Sequence, residues 1–385
     1  MTRLLFGLSF IGLAHTFVGY ALLMWFRAVA APRPLAAANW EPHVDVVVVA
    51  HNAAADLAAK LDNLLALDYP AEKLRIHVAS DGSEDLTASI LAECTDARVR
   101  STIFPVRRGK SACLGDILPT LDGAVVMFAD VRQRLEPDAL RALLRPLADA
   151  EVGAVSGELM FEHSAGDFAG GVDAYWRYEK FIRRSESESG SVVGVSGALY
   201  AARRALLPRV PEGLILDDLW IPLQIAAHGA RVVFVADARA WDRPSPDPVL
   251  EAQHKRRTLA GNFQLILRDP GLLLPWAHPL GWRLWGHKWL RLLAPLLLLT
   301  LFVTNALLCA SSGKWQLLLL IQVAFYAAAV AGMLSPPLLR HLSIRLAAMF
   351  VRMNGYVVIG FLDAVRGGSG HLWSVTRQAD MSARS

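Results

Sequence analysis

The stretch VDVVVVA, residues 44–50, is an almost unbroken run of β-branched side chains. Such a run is typical of a strand that is covered on both faces, as strands are in parallel sheets. Three more predicted strands follow along the chain: RIHVASDGS (75–83), VRSTIF (99–104) and AVVMFAD (124–130). Segments with helical character lie between them, so the sequence predicts an α/β domain with a parallel, helix-covered sheet.

The segments between the predicted strands show features of helices. Four leucines after the first strand are assigned to one stripe at helical spacing: Leu57, Leu61, Leu64 and Leu65. Ser83 is predicted to cap a helix that begins near Glu84. The segment GKSACLGDIL (109–118) is predicted to be the helix before the fourth strand.

Two acidic residues stand at the carboxyl ends of predicted strands. Asp81 ends the second strand and Asp130 ends the fourth. In parallel sheets, ligands bind outside the carboxyl ends of the strands, so we expect these two carboxylates at one edge of the sheet. Either of them alone is explained better as a turn former or a helix cap. Their matching positions favour a binding site.

The composition separates a globular middle from apolar flanks. Hydrophobic residues make up 54% of the 385 residues and charged residues only 19%, which is apolar for a soluble protein. A membrane span needs about 20 apolar residues, and such runs occupy 4–26, 292–310, 315–334 and, interrupted by two arginines and an aspartate, 343–365. The first run contains no Asp, Glu, Lys or Arg, and we interpret it as a retained anchor; a signal peptide is the alternative.

Charges beside the apolar runs predict their orientation. Arg27 and Arg33 follow the first run, and Arg340 and Arg345 lie near the junction of the third and fourth. The positive-inside rule places both regions, and the domain between them, in the cytoplasm. The net charge is only +4 and no basic–aromatic run occurs, so the sequence does not indicate nucleic-acid binding. The three cysteines share no metal-ligand spacing.

Four ordered blocks in the globular middle resemble those of membrane-bound family 2 glycosyltransferases. The blocks are VVVVAHN to DGSEDLT (46–87), RRGKSACLGDIL to FADVRQRLEPDAL (107–140), VGAVSGEL (152–159) and VSGALYAARRALL to VVFVADA (195–238). The resemblance covers about residues 44–262 and extends to polysaccharide synthases and ceramide glucosyltransferases. It implies a Rossmann-like GT-A domain and an inverting hexosyltransferase, with a UDP-sugar as the expected nucleotide-sugar donor.

The resemblance also implies roles for single residues. Asp218 matches the family's catalytic base and Asp217 the acid before it, although two acids at a helix start are also ordinary capping chemistry. The nucleotide sugar is expected to contact a further set of residues: His51, Asn52, Asp81 and Lys110. Lys110 follows a glycine at a predicted helix start, and this combination favours an anionic ligand. Apart from the resemblance, a solvated surface lysine explains the position equally well.

The fourth strand ends in Asp130-Val131-Arg132, where the family pattern has two acids. Magnesium is commonly held by one or two carboxylates together with substrate phosphates, so Asp130 is predicted to be the protein ligand of Mg²⁺ or Mn²⁺. Arg132 replaces the second acid. We expect its side chain either to pair with phosphate oxygens of the donor or to turn outward after the strand ends.

The segment QHKRRTLAGN (253–262) resembles a family block that carries cations. When the block is aligned on Gly261, Arg257 takes the family's arginine position and Lys255 takes the basic position before it. An alignment without gaps places Arg256 at the arginine position instead. Thr258 replaces the family's tryptophan, which puts processive synthesis in doubt. Apart from the resemblance, the segment is explained as a solvated basic face or as a contact with acidic lipid.

These patterns divide the chain into five segments. They are a transmembrane anchor (1–30), a GT-A domain (40–265), an interfacial amphipathic segment (266–291), further transmembrane helices (292–366) and a tail (367–385). Tryptophans mixed with cations and leucines characterise the interfacial segment. The expected partners are a nucleotide sugar, a lipid or glycan acceptor and the membrane, with partner subunits if the product is a polymer.

Three classes of function stay open on the sequence. The first is a glycosyltransferase, which either makes a single transfer to a lipid or acts as a processive polysaccharide synthase. A transporter or receptor with a nucleotide-binding domain would require charged residues deep in the spans, and the first three apolar runs contain none. A non-catalytic glycosyltransferase-like subunit is favoured by the departures at Arg132 and Thr258.

Overall fold

The computed structural model describes residues 1–162, 169–243 and 248–366, and the predicted tail, 367–385, lies outside these ranges. The described chain forms two compact units. The helical unit comprises Met1–Arg33, Ile266–Arg366 and the described part of His163–Ser189. The sheet unit comprises Pro34–Glu162 and the described part of Gly190–Leu265.

The sheet unit is built on one eight-stranded sheet. Its strands are β1 (Val44–Ala50), β2 (Leu74–Asp81), β3 (Val99–Phe104), β4 (Val125–Ala129), β5 (Arg134–Leu135), β6 (Val152–Phe161), β7 (Leu199–Arg203) and β8 (Arg231–Asp242). Their spatial order is β3-β2-β1-β4-β7-β6-β8-β5. The four predicted strands are parallel neighbours, as expected, but β7 pairs antiparallel to both β4 and β6, so the sheet as a whole is mixed.

Helices connect the strands and form the second unit. The helices of the sheet unit are α2 (Ala54–Leu65), α3 (Thr87–Glu93), α4 (Lys110–Ile117), α5 (Ala139–Leu147), α7 (Asp217–Ala227) and most of α8 (Pro248–Arg268). The helical unit contains α1 (Thr2–Ala30), α6 (Ala169–Glu188), α9 (Gly281–Ser311), α10 (Gly313–Leu334) and α11 (Leu342–Arg366). Helices α1 and α9 each include one π-helical turn, at His15–Gly19 and Trp285–Trp289.

The apolar patterns of the sequence form the core of the sheet unit. All seven residues of β1 are buried, because this strand lies between β2 and β4. Leu57, Leu61 and Leu64 of α2 are buried in the same core, as their spacing predicts, whereas Leu65 is only partly buried against it. Burial of each such leucine contributes about 1.5–3 kcal/mol. Helix α2 is thereby fixed against the sheet, and the turn before it is held at the carboxyl end of β1.

The helix after β2 begins later than its sequence indicates. Helix α3 starts at Thr87 and its N-cap residue is Leu86. The Ser83 hydroxyl accepts a hydrogen bond from the backbone N–H of Asn52 at 3.1 Å instead. The prediction that Ser83 caps this helix is wrong, because the hydroxyl makes a tertiary contact that links the loops after β1 and β2.

Among the residues that the structure describes, four helices of the helical unit are long and apolar enough to cross a membrane: α1, α9, α10 and α11. The sequence sets α11 apart because charged residues interrupt its apolar run. In the structure α11 is nevertheless one continuous helix of 25 residues that meets the same criteria as the other three. Many large apolar side chains on these helices are exposed, which is expected of helices that face lipid.

The segment predicted to be interfacial, 266–291, turns several of its side chains inward. Trp285 and Trp289 donate their indole N–H groups to backbone carbonyls of residues 273 and 272, at 2.8 and 2.9 Å. Trp276 is 80% exposed and keeps the character of a membrane-surface residue. From Gly281 onward the segment is already part of α9, so its second half is continuous with the predicted span.

A buried ionic cluster joins α6 to α9. His287 lies between two carboxylates, with Nε2 2.8 Å from Glu179 Oε1 and Nδ1 2.9 Å from Glu186 Oε1. Arg291 donates to Glu179 Oε2 at 3.0 Å, and the Tyr20 hydroxyl donates to Glu186. Burial alone would raise the pKa of the Glu179 carboxyl, but the charges of His287 and Arg291 outweigh it and hold that pKa well below its usual range. These contacts explain why α6, predicted to lie within the domain 40–265, belongs to the helical unit.

Candidate active site

Lys110 brings together two of the acids that the sequence singles out. It is the first residue of α4, and its ammonium lies 3.0 Å from Asp130 Oδ1 and 3.4 Å from Asp217 Oδ2. Burial alone would lower the pKa of Lys110, but the charges of Asp130, Asp217 and Asp218 outweigh it and raise that pKa above its ordinary value. The loops after β3 and β4 and the start of α7 therefore meet around one fixed cation.

Asp81 holds the loop that delivers Lys110. Its carboxylate is fully buried and accepts the backbone N–H groups of Arg108 at 2.7 Å and Gly109 at 2.9 Å. Gly109 has a φ of +93°, which a residue with a side chain adopts only under strain. The structure thus shows Asp81 in contact with loop amides, and its direct contact with a nucleotide stays a prediction.

His51 and Asn52 tie the loops after β1 and β2 together. Asn52 has a φ of +47° and accepts the backbone N–H of Glu84 on its side-chain oxygen at 2.8 Å. His51 is buried, and its Nδ1 lies 2.7 Å from the backbone carbonyl oxygen of Asp81. These contacts fix the sheet edge beside Asp81. The assignment of both residues as nucleotide contacts stays a prediction from the resemblance.

The two adjacent acids at the start of α7 occupy different surroundings. The Asp217 side chain is 8% exposed and faces Lys110, whereas Asp218 is more exposed. The backbone carbonyl of Asp218 accepts the N–H of Val195 at 3.0 Å. A Cβ atom added at Gly197 would lie 3.4 Å from Asp218 Oδ2. The absence of a side chain at Gly197 therefore keeps one face of the Asp218 carboxylate accessible.

The basic segment of α8 contributes one arginine that is coupled to this acidic group. Burial lowers the pKa of the Arg257 guanidinium, and three carboxylates offset part of that shift: Asp217, Asp218 and Asp130. Lys255 pairs with Glu251 one turn earlier on the same helix, at 2.6 Å. Arg256 is half-buried beside them. Among the predicted cations of 253–262, the structure supports Arg257 most directly as a neighbour of the acids.

Close packing explains how α8 reaches the acids. A Cβ atom at Gly261 would lie 2.6 Å from Leu216 and 2.9 Å from Ile215. The Gln264 side chain donates to the carbonyl of Gly213 at 2.7 Å and accepts the N–H of Ile215 at 2.9 Å. These contacts fix α8 against the segment that leads into α7. Sequence reasoning used the glycine as an alignment point and missed the glutamine.

Arg132 turns towards β8. Its Nη2 donates to Asp242 Oδ2 at 2.6 Å, and Gln133 Nε2 donates to the same oxygen at 2.9 Å. Asp242 is 3% exposed, and a buried carboxylate of this kind needs such partners. The structure pairs the Arg132 guanidinium with a protein acid, a contact that the sequence did not predict, while the side chain is still 43% exposed. Asp242 is a residue that sequence reasoning missed.

Residues 42–261, more than half of the chain, match the model of a family described as "Glycosyltransferase like family 2". The chain belongs to this family. The match begins just before β1 and ends within α8, so it covers every site residue that the sequence predicts. The resemblance drawn from the sequence blocks is confirmed.

Two relatives of this family 2 chain show how far the similarity extends. A beta-monoglucosyldiacylglycerol synthase from Synechocystis sp. is 24% identical over 285 residues, which are 71% of this chain and 58% of the relative. An N-acetylglucosaminyltransferase from Rhizobium leguminosarum bv. viciae is 29% identical over 175 residues, which are 44% of this chain and 41% of the relative. The chain thus spans about half the length of these curated relatives.

The fold has a solved counterpart. The mannosyltransferase PcManGT from Pyrobaculum calidifontis, in complex with GDP-Man and Mn²⁺, matches with a TM-score of 0.69 at 24% identity. The match covers 94% of this chain and 99% of the mannosyltransferase. The predicted GT-A fold is confirmed by this likeness.

One carboxylate of this family 2 protein is suited to a divalent cation. The Asp130 side chain is 42% exposed and uses Oδ1 for Lys110. Within the described ranges there is no group of three or more His, Cys, Asp or Glu side chains that could hold a metal ion. A cation bound by Asp130 together with oxygens of a bound diphosphate fits this donor set, since magnesium sites often combine one carboxylate with substrate phosphates.

Sequence reasoning missed Lys60, a buried lysine of α2. It is 3% exposed, and its ammonium donates to the backbone carbonyl of Gln133 at 2.7 Å. Burial lowers the pKa of Lys60 to about 7, and the charge of Asp130 offsets part of this shift. The sequence does contain a signal for this burial. Lys60 is three residues after Leu57 and four before Leu64, and that spacing places it on the buried stripe.

Lys60→Met is expected to flatten the dependence of stability on pH. The folded pKa of about 7 lies below the value of about 10.4 for lysine in an unfolded chain. Between these values the unfolded chain binds the extra proton, so the contribution of Lys60 to stability rises with pH. Thermal midpoints measured from pH 7 to 10 should rise less in the variant than in the wild type. The control is Lys73→Met, which changes a partly exposed lysine paired with Glu41. If the thermal midpoint rose equally with pH in both variants, Lys60 would not be the source of the pH dependence.

Tyr200 is a second buried group that the sequence did not single out. It lies on β7, and its ring stacks on Phe128 of β4 with centroids 4.3 Å apart and planes at 6°. Burial raises the pKa of the Tyr200 hydroxyl well above its usual range, and three charges raise it further: Asp217, Asp218 and Asp130. A large ring within the small-residue strand LYAAR was the available signal. The hydroxyl is therefore protonated beneath the acidic group.

Proposed function

We propose that this protein is an inverting membrane glycosyltransferase that transfers a sugar from a nucleotide-diphosphate sugar to a lipid hydroxyl at the cytoplasmic face of a membrane. The observation that carries the proposal is the group in which Lys110 links Asp130 to Asp217 beside Asp218. This group combines an accessible carboxylate, that of Asp218, with cations that are held in place. Transfer of a sugar from a diphosphate requires both, a base for the acceptor and positive charge for the leaving group.

Asp218 acts as the general base in this proposal. Its carboxylate takes the proton of the acceptor hydroxyl while the hydroxyl oxygen attacks the anomeric carbon opposite the diphosphate. The new carbon–oxygen bond forms as the bond to the diphosphate oxygen breaks, and its electron pair leaves with the nucleoside diphosphate. The anomeric centre is therefore inverted. Asp217 is assigned to hold Lys110, because it is buried and already faces that cation.

The cations of the site stabilise the leaving diphosphate. Lys110 and Arg257 are both coupled to the acidic group and can turn towards phosphate oxygens. A Mg²⁺ or Mn²⁺ ion held by Asp130 and the diphosphate would supply further neutralisation of the leaving charge. Arg132 reaches the diphosphate in this proposal through the part of its guanidinium not engaged by Asp242, since its side chain is still partly exposed.

The acceptor is assigned as a lipid because membrane helices flank the glycosyltransferase domain. The similarity to a beta-monoglucosyldiacylglycerol synthase supports this choice, and so does Thr258, which replaces the tryptophan found in processive synthases. A glycan acceptor is the second candidate, favoured by the similarity to an N-acetylglucosaminyltransferase. The cytoplasmic, multi-pass arrangement rests on the arginines beside the apolar runs.

A donor and acceptor screen tests the proposal. The full chain in lipid nanodiscs would be given UDP-glucose, UDP-galactose, UDP-N-acetylglucosamine or GDP-mannose, with diacylglycerol, ceramide or a chitin oligosaccharide. Nucleotide release and mass spectrometry of the products should identify one donor and a lipid product. A glycan product would establish the second candidate. No release with any donor would favour the non-catalytic subunit and overturn the proposal.

Metal binding is expected to depend on the nucleotide. Lys110 lies 3.0 Å from Asp130, and a cation about 4 Å from the metal costs about 4 kcal/mol per unit charge at an effective dielectric of 20. Calorimetry should therefore show weak Mn²⁺ binding alone and much tighter binding with UDP or GDP. Asp130→Ala should remove the nucleotide-dependent binding. Asp122→Ala, which changes an exposed acid paired with Arg75, should retain the nucleotide-dependent binding. Full activity of Asp130→Ala in excess chelator would exclude a metal at Asp130.

Arg257→Ala is expected to slow transfer strongly. Removal of one electrostatic contact to the developing charge typically costs about 2.7–4 kcal/mol in the transition state, or about 100- to 1,000-fold in kcat. Arg268→Ala, at an exposed arginine at the end of the same helix, is the matched control and should leave kcat unchanged. If Arg257→Ala altered membrane association and protein yield but not kcat, the arginine would belong to a lipid-facing surface.

A further inference from the structure

We propose that Asp242 is a positioning residue that keeps Arg132 away from the Asp130 carboxylate and so leaves that carboxylate available to a divalent cation. This inference rests on the proposed function, because Asp130 is the residue assigned there to the metal. It gives a role to a buried acid at the end of β8 that the proposed mechanism leaves without one.

The first observation is that an arginine two residues after an aspartate can occupy its carboxylate completely. The segment Asp96-Ala97-Arg98, before β3, has the same spacing as Asp130-Val131-Arg132. Arg98 Nε donates to Asp96 Oδ1 at 3.1 Å, and Arg98 Nη2 donates to Asp96 Oδ2 at 2.9 Å. Both carboxylate oxygens are taken, and hydrogen bonds from the Arg98 side chain lower the pKa of the Asp96 carboxyl to about 2. An Asp130 paired in this way would have no oxygen left for a metal.

The second observation is that Arg132 makes no ion pair with Asp130 in the described part of the chain. Its Nη2 donates to Asp242 Oδ2 at 2.6 Å instead. Among the described residues, Asp130 hydrogen-bonds through Oδ1, to Lys110 at 3.0 Å, and its side chain is 42% exposed. The second oxygen of Asp130 is therefore open to a ligand, as a metal-binding carboxylate requires.

Burial explains why Arg132 pairs with Asp242 and not with Asp130. The Asp242 side chain is 3% exposed, whereas that of Asp130 is 42% exposed. Water solvates an exposed carboxylate, but a buried carboxylate without a cation is strongly destabilised. The arginine therefore lowers the free energy more at Asp242 than at Asp130.

The backbone that carries Arg132 is held along β8. The next residue, Gln133, donates from Nε2 to the same Asp242 oxygen at 2.9 Å, and its backbone carbonyl accepts the Lys60 ammonium at 2.7 Å. Strand β5 begins directly afterwards and pairs antiparallel with β8. These contacts fix the start of the Arg132 side chain beside Asp242. Arg132 is still 43% exposed, so part of its guanidinium stays available to a diphosphate.

Asp242→Asn tests the inference, because it removes the charge that holds Arg132 and keeps the size of the side chain. We expect Arg132 to move to the Asp130 carboxylate, where it competes with the metal. The Kd of Mn²⁺ at saturating UDP or GDP, measured by calorimetry on the full chain in nanodiscs, should rise about tenfold or more, the effect of one hydrogen bond to a charged group. Adding Arg132→Gln to Asp242→Asn should restore the wild-type Kd, because the competing cation is then gone.

Asp45→Asn is the matched control. Asp45 is likewise a buried acid of a strand, with Oδ1 2.8 Å from His77 Nε2 and Oδ2 accepting the backbone N–H of Gly123 at 2.7 Å. It lies near the start of β1, at the edge of the sheet opposite to Asp130. Its replacement should lower the thermal midpoint and leave the Kd of Mn²⁺ unchanged.

Arg132→Gln alone is a second test, and it decides the question if Asp242→Asn does not fold. Because Asp242 already holds Arg132 away from Asp130, this change should tighten Mn²⁺ binding by far less than the factor of about ten expected for removal of a direct competitor. A gain of about tenfold or more would show that Arg132 occupies Asp130 in the wild type, and would overturn the inference.

The outcomes separate this inference from the proposed function. If the wild type binds Mn²⁺ with nucleotide and Asp242→Asn binds it equally well, the inference is overturned and the proposed function stands. If the double variant binds Mn²⁺ as weakly as Asp242→Asn does, Asp242 acts through the fold of β8 and not through Arg132, which also overturns the inference. If the wild type shows no nucleotide-dependent Mn²⁺ binding, the metal site of the proposed function fails together with the inference.

Discussion

Asp218→Asn is expected to abolish sugar transfer while nucleotide binding stays close to the wild-type value. A general base typically contributes about 10²–10⁴-fold to the rate, and the amide removes the basic oxygen without changing the size of the side chain. Asp217 and Lys110 keep their ion pair in this variant, because Asp218 is the acid on the more exposed side. Turnover would be measured as nucleotide release, and nucleotide affinity by calorimetry.

Two comparisons sharpen this experiment. Asp138→Asn changes an exposed acid that likewise stands at the start of a helix, α5, and should leave turnover unchanged. Asp217→Asn should weaken nucleotide binding as well as turnover, because it releases Lys110. Near-normal turnover of Asp218→Asn on the natural acceptor would exclude Asp218 as the base. If Asp217→Asn alone lost transfer with unchanged nucleotide affinity, the base would be Asp217.

His287→Leu is expected to destabilise the helical unit by about 3–5 kcal/mol, the usual cost of breaking a buried ion pair by removing one partner. Each ring nitrogen of His287 lies within hydrogen-bond distance of a carboxylate oxygen, Nε2 of one on Glu179 and Nδ1 of one on Glu186. Leucine fills a similar volume but leaves Glu186, which is 0% exposed, without this partner. The thermal midpoint of the full chain in detergent should fall accordingly.

Two further variants serve as controls for this experiment. His341→Leu changes an exposed histidine next to the apolar helix α11 and should leave the thermal midpoint unchanged. Adding Glu186→Gln to His287→Leu should restore part of the lost stability, because it removes the uncompensated charge. If His287→Leu and His341→Leu had the same midpoint, the cluster would not contribute to the stability of the helical unit.

Four of the strands, and the positions of two acids at strand ends, could be predicted from the sequence because local patterns encode them. An apolar run such as 44–50 indicates a buried strand, whichever segments of the chain cover that strand. Since parallel strands end at one edge of a sheet, Asp81 and Asp130 could be placed at a common edge before any contact was known. The family and the GT-A fold followed from the same blocks and are confirmed.

The partners of the site residues could not be predicted, because they come from distant segments. Arg132 pairs with Asp242, 110 residues away, and the register between β6 and β8 that positions Asp242 includes irregularities. Asp81 accepts amides of the loop before α4. Lys60 lies on an otherwise apolar stripe, where its burial becomes intelligible only once the carbonyl of Gln133 is seen beside it.

The sequence by itself determined the strands β1 to β4, helical segments between them and the apolar runs, because each of these depends on the periodicity and polarity of neighbouring residues. Only the tertiary structure decided that β7 enters the sheet antiparallel, that α6 joins the helical unit through His287, and that Lys110 stands between Asp130 and Asp217. A charge acts strongly only on groups within a few ångströms in a poorly solvated site. Which charges come that close depends on how the whole chain folds, and no local pattern of residues specifies it.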